Sequence, residues 1–151
     1  MSSTQSLTAD DADALVVPGG FGAAKNLCTF AVSESPEVDP DVASALTAYS
    51  EAGKPIAMCC VAPILAAMVL CDDSKSLKMT LGRREATEAE SEAGMSWPYS
   101  PTVDKAEEMG AQVEEVGVDQ FVVDEDGRLF TTPAFMCDGA PLDKVAIRKF
   151  K

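Results

Sequence analysis

Apolar and polar positions alternate along this chain in blocks that read as strands and helices in turn. Ala14-Leu15-Val16-Val17 is a continuous apolar run closed by Pro18-Gly19-Gly20, which predicts a strand buried on both faces and then a sharp turn. Gly22 to Val32 is small and apolar around Lys25-Asn26 and predicts a helix whose amino end sits against that turn. Asp39-Pro40 supplies a cap and a first-turn proline, after which Val42, Leu46 and Tyr49 recur at helical spacing until Gly53. Pro55 to Cys59 predicts a short apolar strand, and Ala62 to Leu70 is apolar all round, as in a helix packed under a sheet.

The second half is patterned less strongly. Leu77 to Leu81 reads as a strand, and the polar, acidic stretch Arg83 to Gly94 as a loop or a solvated helical turn. Ser100-Pro101 repeats the cap-plus-proline start, Val103, Ala106 and Met109 mark one helix face, and Gly110 ends it. Phe121-Val122-Val123 and Leu129 to Thr132 flank Asp124 to Gly127, whose Asp-Gly step is expected to supply the left-handed position of a β-hairpin. Pro141 to Phe150 predicts a closing basic helix. Strands alternating with helices imply an open α/β sheet with helices on its faces, and residues 1–151 read as a single domain.

Charge narrows the functions. Twelve basic against 25 acidic residues leave a formal net charge of −13, which disfavours nucleic acid and anionic membrane, since phosphate binding draws on clustered Lys and Arg. No apolar run approaches the roughly 20 residues of a membrane span. Five Cys without a CxxC pair argue against a disulfide framework, and with no His present a metal site is not expected. Met1 to Asp13 carries three Asp and no Lys or Arg, so no transit peptide is visible in it.

Candidate chemistry centres on Cys59-Cys60-Val61-Ala62-Pro63, where an apolar strand ending in thiols runs straight into an apolar helix. Such a join has the form of a nucleophile elbow, and the positive helix end would favour a thiolate there. Alternation along the strand lets one of the two thiols face a site while the other packs. Both are equally compatible with the role of small buried hydrophobes. The glycines of Pro18-Gly19-Gly20-Phe21-Gly22 leave backbone N–H groups free to approach a bound oxygen, although the pattern is neither a dinucleotide fingerprint nor a P-loop.

Five blocks, Pro18 to Leu27, Gly53-Lys54-Pro55-Ile56, Cys59 to Pro63, Trp97-Pro98-Tyr99 and Thr131 to Cys137, together resemble the ElbB branch of the PfpI/ThiJ superfamily, nearest its eukaryotic mitochondrial members. The resemblance implies a flavodoxin-like, class I glutamine amidotransferase-like domain. It places the nucleophile on Cys60, oxyanion donors on the amides of Gly20 and Val61, and the surrounding site on Gly19, Phe21, Gly22, Asn26, Pro63 and Thr132. It implies a glyoxalase III-like activity on small aldehydes or dicarbonyls, no dissociable cofactor and a mitochondrial setting, the cytoplasm being the alternative. A noncatalytic assembly module and a thiol redox sensor are the alternative functions.

Three departures from the family pattern are visible. The family's first strand, helix and second strand have no counterpart here, and with them goes the Glu that hydrogen-bonds the nucleophile. The family's downstream His falls in Thr80 to Glu85, where Arg83 stands. Without a first strand, the Ala14 to Val17 strand is expected to present a bare edge: either the protein is longer than this sequence, or another chain covers the edge in a homo-oligomer or complex, or the fold is rearranged.

Overall fold

A computed structural model of the chain describes residues 8–97 and 100–137. The closing segment Pro141 to Phe150 and the Pro98-Tyr99 step lie outside the described residues. In chain order the elements are β1 (Leu15–Val17), a π-helical turn (Ala23–Leu27), α1 (Pro40–Glu51), β2 (Ile56–Cys59), α2 (Pro63–Leu70), β3 (Lys78–Met79), α3 (Glu88–Glu92), β4 (Met95–Ser96), α4 (Ser100–Glu108), β5 (Gln112–Val113), β6 (Val122–Asp124), β7 (Leu129–Thr132) and β8 (Met136–Cys137). Four of the strands form a sheet in the order β1-β2-β7-β6, in which β1, β2 and β7 are parallel and β6 is antiparallel to β7. The architecture is the mostly parallel α/β fold that the order of apolar blocks implied.

Local chemistry explains the helices. The Asp39 carboxylate accepts the amides of Asp41 at 2.9 Å and Val42 at 3.4 Å, and Pro40 begins α1 without an amide to satisfy. Gly53, at φ +63°, lets the chain turn out of α1 towards β2. In the acidic stretch, Thr87 Oγ1 accepts the Glu90 amide while Glu90 Oε2 accepts the Thr87 amide, a reciprocal box that starts α3.

The strand register separates two faces. Leu15, Ile56 and Leu129 lie in one row and Val17, Met58, Thr131 and Val122 in another. On that side Ile56, Met58 and Leu129 form one cluster with Leu46 and Tyr49 of α1, Ile64 and Leu65 of α2, and Val103 and Ala106 of α4. Each fully buried large side chain there contributes about 1.5–3 kcal/mol. The opposite side presents Val16, Ala57, Phe130 and Val123 in one row.

Several expectations are corrected. β1 is not buried on both faces: Val16 is 62% exposed and β1 forms an edge of the sheet. An apolar run specifies residues that tolerate burial, and a covering layer must still arrive from elsewhere. The helix expected over Gly22 to Val32 is a short helical segment that ends at Leu27, where Cys28 turns extended and bridges to Val38.

The hairpin between β6 and β7 forms, but its left-handed residue is Arg128 at φ +50°, not Gly127. Asp124 makes the turn instead, its Oδ1 accepting the Gly127 amide at 2.6 Å. A Cβ at position 127 would press on Leu77 Cδ2, the end of a flexible side chain that would have to shift. The Leu77 to Leu81 strand narrows to β3, which pairs with the unforeseen β5, and β4 with β8 is a second unforeseen pair. Among the described residues no helix is long and apolar enough to cross a membrane.

Candidate functional site

The candidate site is built at the carboxyl end of β2, where the chain leaves the sheet. Cys59 is the last strand residue, and the Ala62 amide donates back to the Cys59 carbonyl at 3.1 Å, closing a tight turn over Cys60 and Val61. Within that turn Cys60 has φ +61°, a left-handed conformation in which a residue bearing Cβ is strained. Strain of this kind persists only where neighbours over-determine it. Here the Cys60 amide donates to the Thr132 carbonyl of β7 at 3.1 Å, and Pro63 opens α2 with Ile64 and Leu65 buried beneath it. The elbow is thus pinned on the sheet side by β7 and on the helix side by the core.

The glycine turn after β1 forms the facing wall. A Cβ on Gly19 would overlap the Cys60 Cβ and the Cys59 carbonyl oxygen, so only glycine fits the approach. The Gly19 amide donates to Cys59 Sγ at 3.2 Å. Cys59 and Cys60 are both half-buried, and the left-handed turn at Cys60 interrupts strand alternation.

The remaining expected site residues divide by position. Gly20 has φ +104° with open space on its Cβ side. Phe21, Gly22 and Asn26 are exposed on the segment that follows, Phe21 at 56%. Val61 and Pro63 are buried in the elbow, and Thr132 is buried in β7 with its carbonyl turned to Cys60. The structure therefore gathers Cys60, Gly19, Val61, Pro63 and Thr132, while Phe21, Gly22 and Asn26 form an exposed outer margin.

The other described thiols sit elsewhere. Cys28 is buried and its S–H donates to the Ala24 carbonyl at 3.5 Å; burial pushes this thiol above its ordinary pKa. Burial also raises Cys71, against a smaller lowering by a hydrogen bond from the Leu77 backbone. Neither favours the thiolate. Among the described residues no group of three or more Cys, Asp or Glu is placed to hold a metal ion.

Both arginines of the Thr80 to Glu85 segment are held by carboxylates. Arg83 Nε lies 3.3 Å from Glu90 Oε1, and the Trp97 indole N–H donates to Glu90 Oε2 at 3.3 Å. Burial pushes the Glu90 carboxyl up, but hydrogen bonds from the Thr87 backbone and side chain, the Trp97 bond and the Arg83 charge together hold it below its usual value. Trp97 packs edge-on to Phe135 at 6.1 Å and closes on Gly82, where a Cβ would come within 2.6 Å of the indole. Arg84 is occupied by Asp104 at 2.7 Å, Glu107 at 2.6 Å and Glu115 at 2.5 Å. Sequence reasoning missed the Arg83–Glu90–Trp97 cluster, although Thr87-x-x-Glu90 has the spacing of a capping box.

Comparison with known proteins agrees with this architecture. The chain is 42% identical over 135 residues to the human glutamine amidotransferase-like class 1 domain-containing protein 3, mitochondrial, covering 89% of this chain and 47% of the relative. It is 42% identical over 133 residues to the rat ES1 protein homolog, mitochondrial, covering 87% and 46% respectively. The chain thus spans about half the length of the curated relatives it matches. Among solved structures, an isoprenoid biosynthesis protein with an amidotransferase-like domain from Ehrlichia chaffeensis superposes with a TM-score of 0.63 at 24% identity, over 83% of this chain and 50% of that one. This likeness shows the fold. No protein-family model matches the chain.

Proposed function

We propose, from a chain that is a homologue of the ES1 and glutamine amidotransferase-like class 1 domain proteins, that Cys60 is the nucleophile of a glyoxalase III-like reaction on small dicarbonyls. The observation that carries the reading is the left-handed Cys60 at the join of β2 and α2. A residue strained in this way gains nothing for packing, and such strain clusters at functional sites. The amino end of α2 adds a dipole that favours negative charge at the join.

In this reading the Cys60 thiolate adds to the aldehyde carbon of methylglyoxal and a proton reaches the carbonyl oxygen, giving a hemithioacetal. Transfer of the aldehyde hydrogen to the neighbouring carbonyl carbon leaves a thioester. Water then releases the 2-hydroxy acid and restores the thiol. The amides of Gly20 and Val61 are the proposed oxyanion donors. Because the chain contains no His, proton movement falls to water or to another side chain. The proposed compartment is the mitochondrion, after the names of the human and rat relatives.

The test is loss of methylglyoxal and gain of lactate with purified protein. Cys60→Ala should abolish turnover while leaving the unfolding transition intact. Equal rates for the two proteins would overturn the reading.

One observation favours a second reading, in which the fold serves as an assembly module. β1 is an edge strand of the sheet, and its Val16 is 62% exposed. The occupant we assign is a second copy of the chain, β1 pairing with β1 about a twofold axis. Sedimentation should then show a dimer that Val16→Lys converts to monomer. A monomer for the unsubstituted chain at micromolar concentration would remove this reading.

A further inference from the structure

Two neighbouring cysteines meet one glycine at the elbow. The Gly19 amide donates to Cys59 Sγ at 3.2 Å, and the Cβ of Cys60 occupies the space where a side chain on Gly19 would project. A strand of regular alternation would send these neighbouring side chains to opposite faces. The left-handed φ of Cys60 ends that alternation, and its Cβ lies against the same glycine that donates to Cys59 Sγ. Cys59 and Cys60 are both half-buried, whereas burial holds Cys28 and Cys71 towards the thiol form.

We propose that Cys59 is the resolving thiol for Cys60, so that a peroxide-class oxidant drives the pair to a reversible Cys59–Cys60 disulfide. The inference rests on Cys60 being the reactive thiol, as in the reading above. In the first step the Cys60 thiolate attacks one peroxide oxygen. The O–O bond breaks, the sulfur gives up two electrons and becomes a sulfenic acid, and the other oxygen leaves as water or alcohol after taking a proton. In the second, the Cys59 sulfur attacks the sulfenic sulfur. An S–S bond forms, the S–O bond breaks, and the hydroxyl departs as water with the Cys59 proton.

Adjacent Cα atoms stand about 3.8 Å apart across a trans peptide, below the roughly 4.4–6.8 Å usual for disulfides. The bond is therefore strained and easily reduced. Such a bond suits a cap that diverts Cys60 from irreversible sulfinic acid and returns it to the thiolate when reductant is restored.

The experiment uses the reduced chain treated with excess hydrogen peroxide and quenched with iodoacetamide. Masses and peptide fragmentation are then read for the full chain and for a Cys28→Ala, Cys71→Ala, Cys137→Ala background. Expected is a species lacking two hydrogens, with the bond mapped between Cys59 and Cys60 and reversed by dithiothreitol. In Cys59→Ala, Cys60 should instead advance to sulfinic acid about tenfold faster. If fragmentation places the bond on another cysteine pair, the inference is overturned. It is likewise overturned if Cys60 alkylates readily but reaches sulfinic acid equally fast with and without Cys59, and the dicarbonyl reading then stands. A Cys60 that neither alkylates nor oxidises in the folded protein would remove both.

Discussion

Gly19→Ala adds one methyl group at the point where β1's turn meets the elbow, and the structure sets its cost. Gly19 is not in the left-handed region, so the penalty is spatial. The new Cβ would overlap the Cys60 Cβ and the Cys59 carbonyl oxygen and lie 3.1 Å from the Cys59 carbonyl carbon. Relief to an ordinary carbon contact of about 3.5–4.0 Å requires the turn to retreat by more than about 1 Å. Neither obstacle is the far end of a flexible side chain, and the elbow is held by the Thr132 carbonyl, so β1 must move. β1 is three residues long and pairs only from Leu15 to Val17 with Ile56 to Met58. Overpacking of about 1–3 kcal/mol, plus about 1 kcal/mol for a broken ladder bond, gives roughly 2–4 kcal/mol. That is a large part of a total stability of roughly 5–15 kcal/mol. The assay is urea unfolding, with iodoacetamide labelling of Cys59 and Cys60 in the folded state. Gly20→Ala is the control: its φ of +104° is unfavourable but its Cβ meets nothing, so only the backbone cost of about 1–2 kcal/mol applies. Labelling should change in the Gly19 variant more than in the control. A Gly19→Ala protein as stable as Gly20→Ala, with unaltered labelling, would refute the close approach.

Three further outcomes follow from the same contacts. Cys60→Gly should be more stable than Cys60→Ala by roughly 1 kcal/mol in urea unfolding, because glycine relieves the left-handed strain at the cost of some unfolded-state entropy; an alanine variant of equal or greater stability would show that no strain is stored there. The Glu90 carboxyl is held low when folded, so its stabilising effect is complete above the unfolded value of about 4.3 and disappears as pH falls through the lower folded pKa. Emission from Trp97, the one tryptophan, should therefore stay constant from neutral pH to about 5 and shift only under stronger acid, and Glu90→Gln should remove that acid step; a step centred near neutrality would contradict it. Arg84→Ala should cost about 1 kcal/mol, less in high salt, since its three carboxylate partners hold a side chain that is 37% exposed; an effect that grows with salt would be incompatible with ion pairing.

What could be read in the sequence, and what could not, divides by the range over which each feature is determined. Asp39-Pro40 and Gly53 act within one helical turn, and α1 begins and ends accordingly, whereas α4 already includes Ser100, the residue expected to cap it. β3 and β5 are two residues each, and their pairing of Lys78 with Gln112 depends on segments more than thirty positions apart, so no local pattern announces it. The same holds for Met95 with Cys137 in β4 and β8.

The hairpin shows a subtler failure. Asp-Gly marks the turn, but the left-handed residue is Arg128 rather than Gly127, and the turn is held by Asp124 accepting the Gly127 amide. At the elbow the division falls within a single dipeptide. Proline after a thiol at the end of an apolar strand is a local signal, and the turn at Cys60 follows it. The amide that meets Cys59 Sγ comes from Gly19, forty residues earlier, and requires β1 and β2 to be parallel neighbours before the contact can exist. A residue two positions beyond one short strand is therefore the neighbour of the last residue of another. For that reason substitution of Gly19 examines the site more directly than substitution of any residue within the elbow: it alters the wall while both sulfur atoms remain in place.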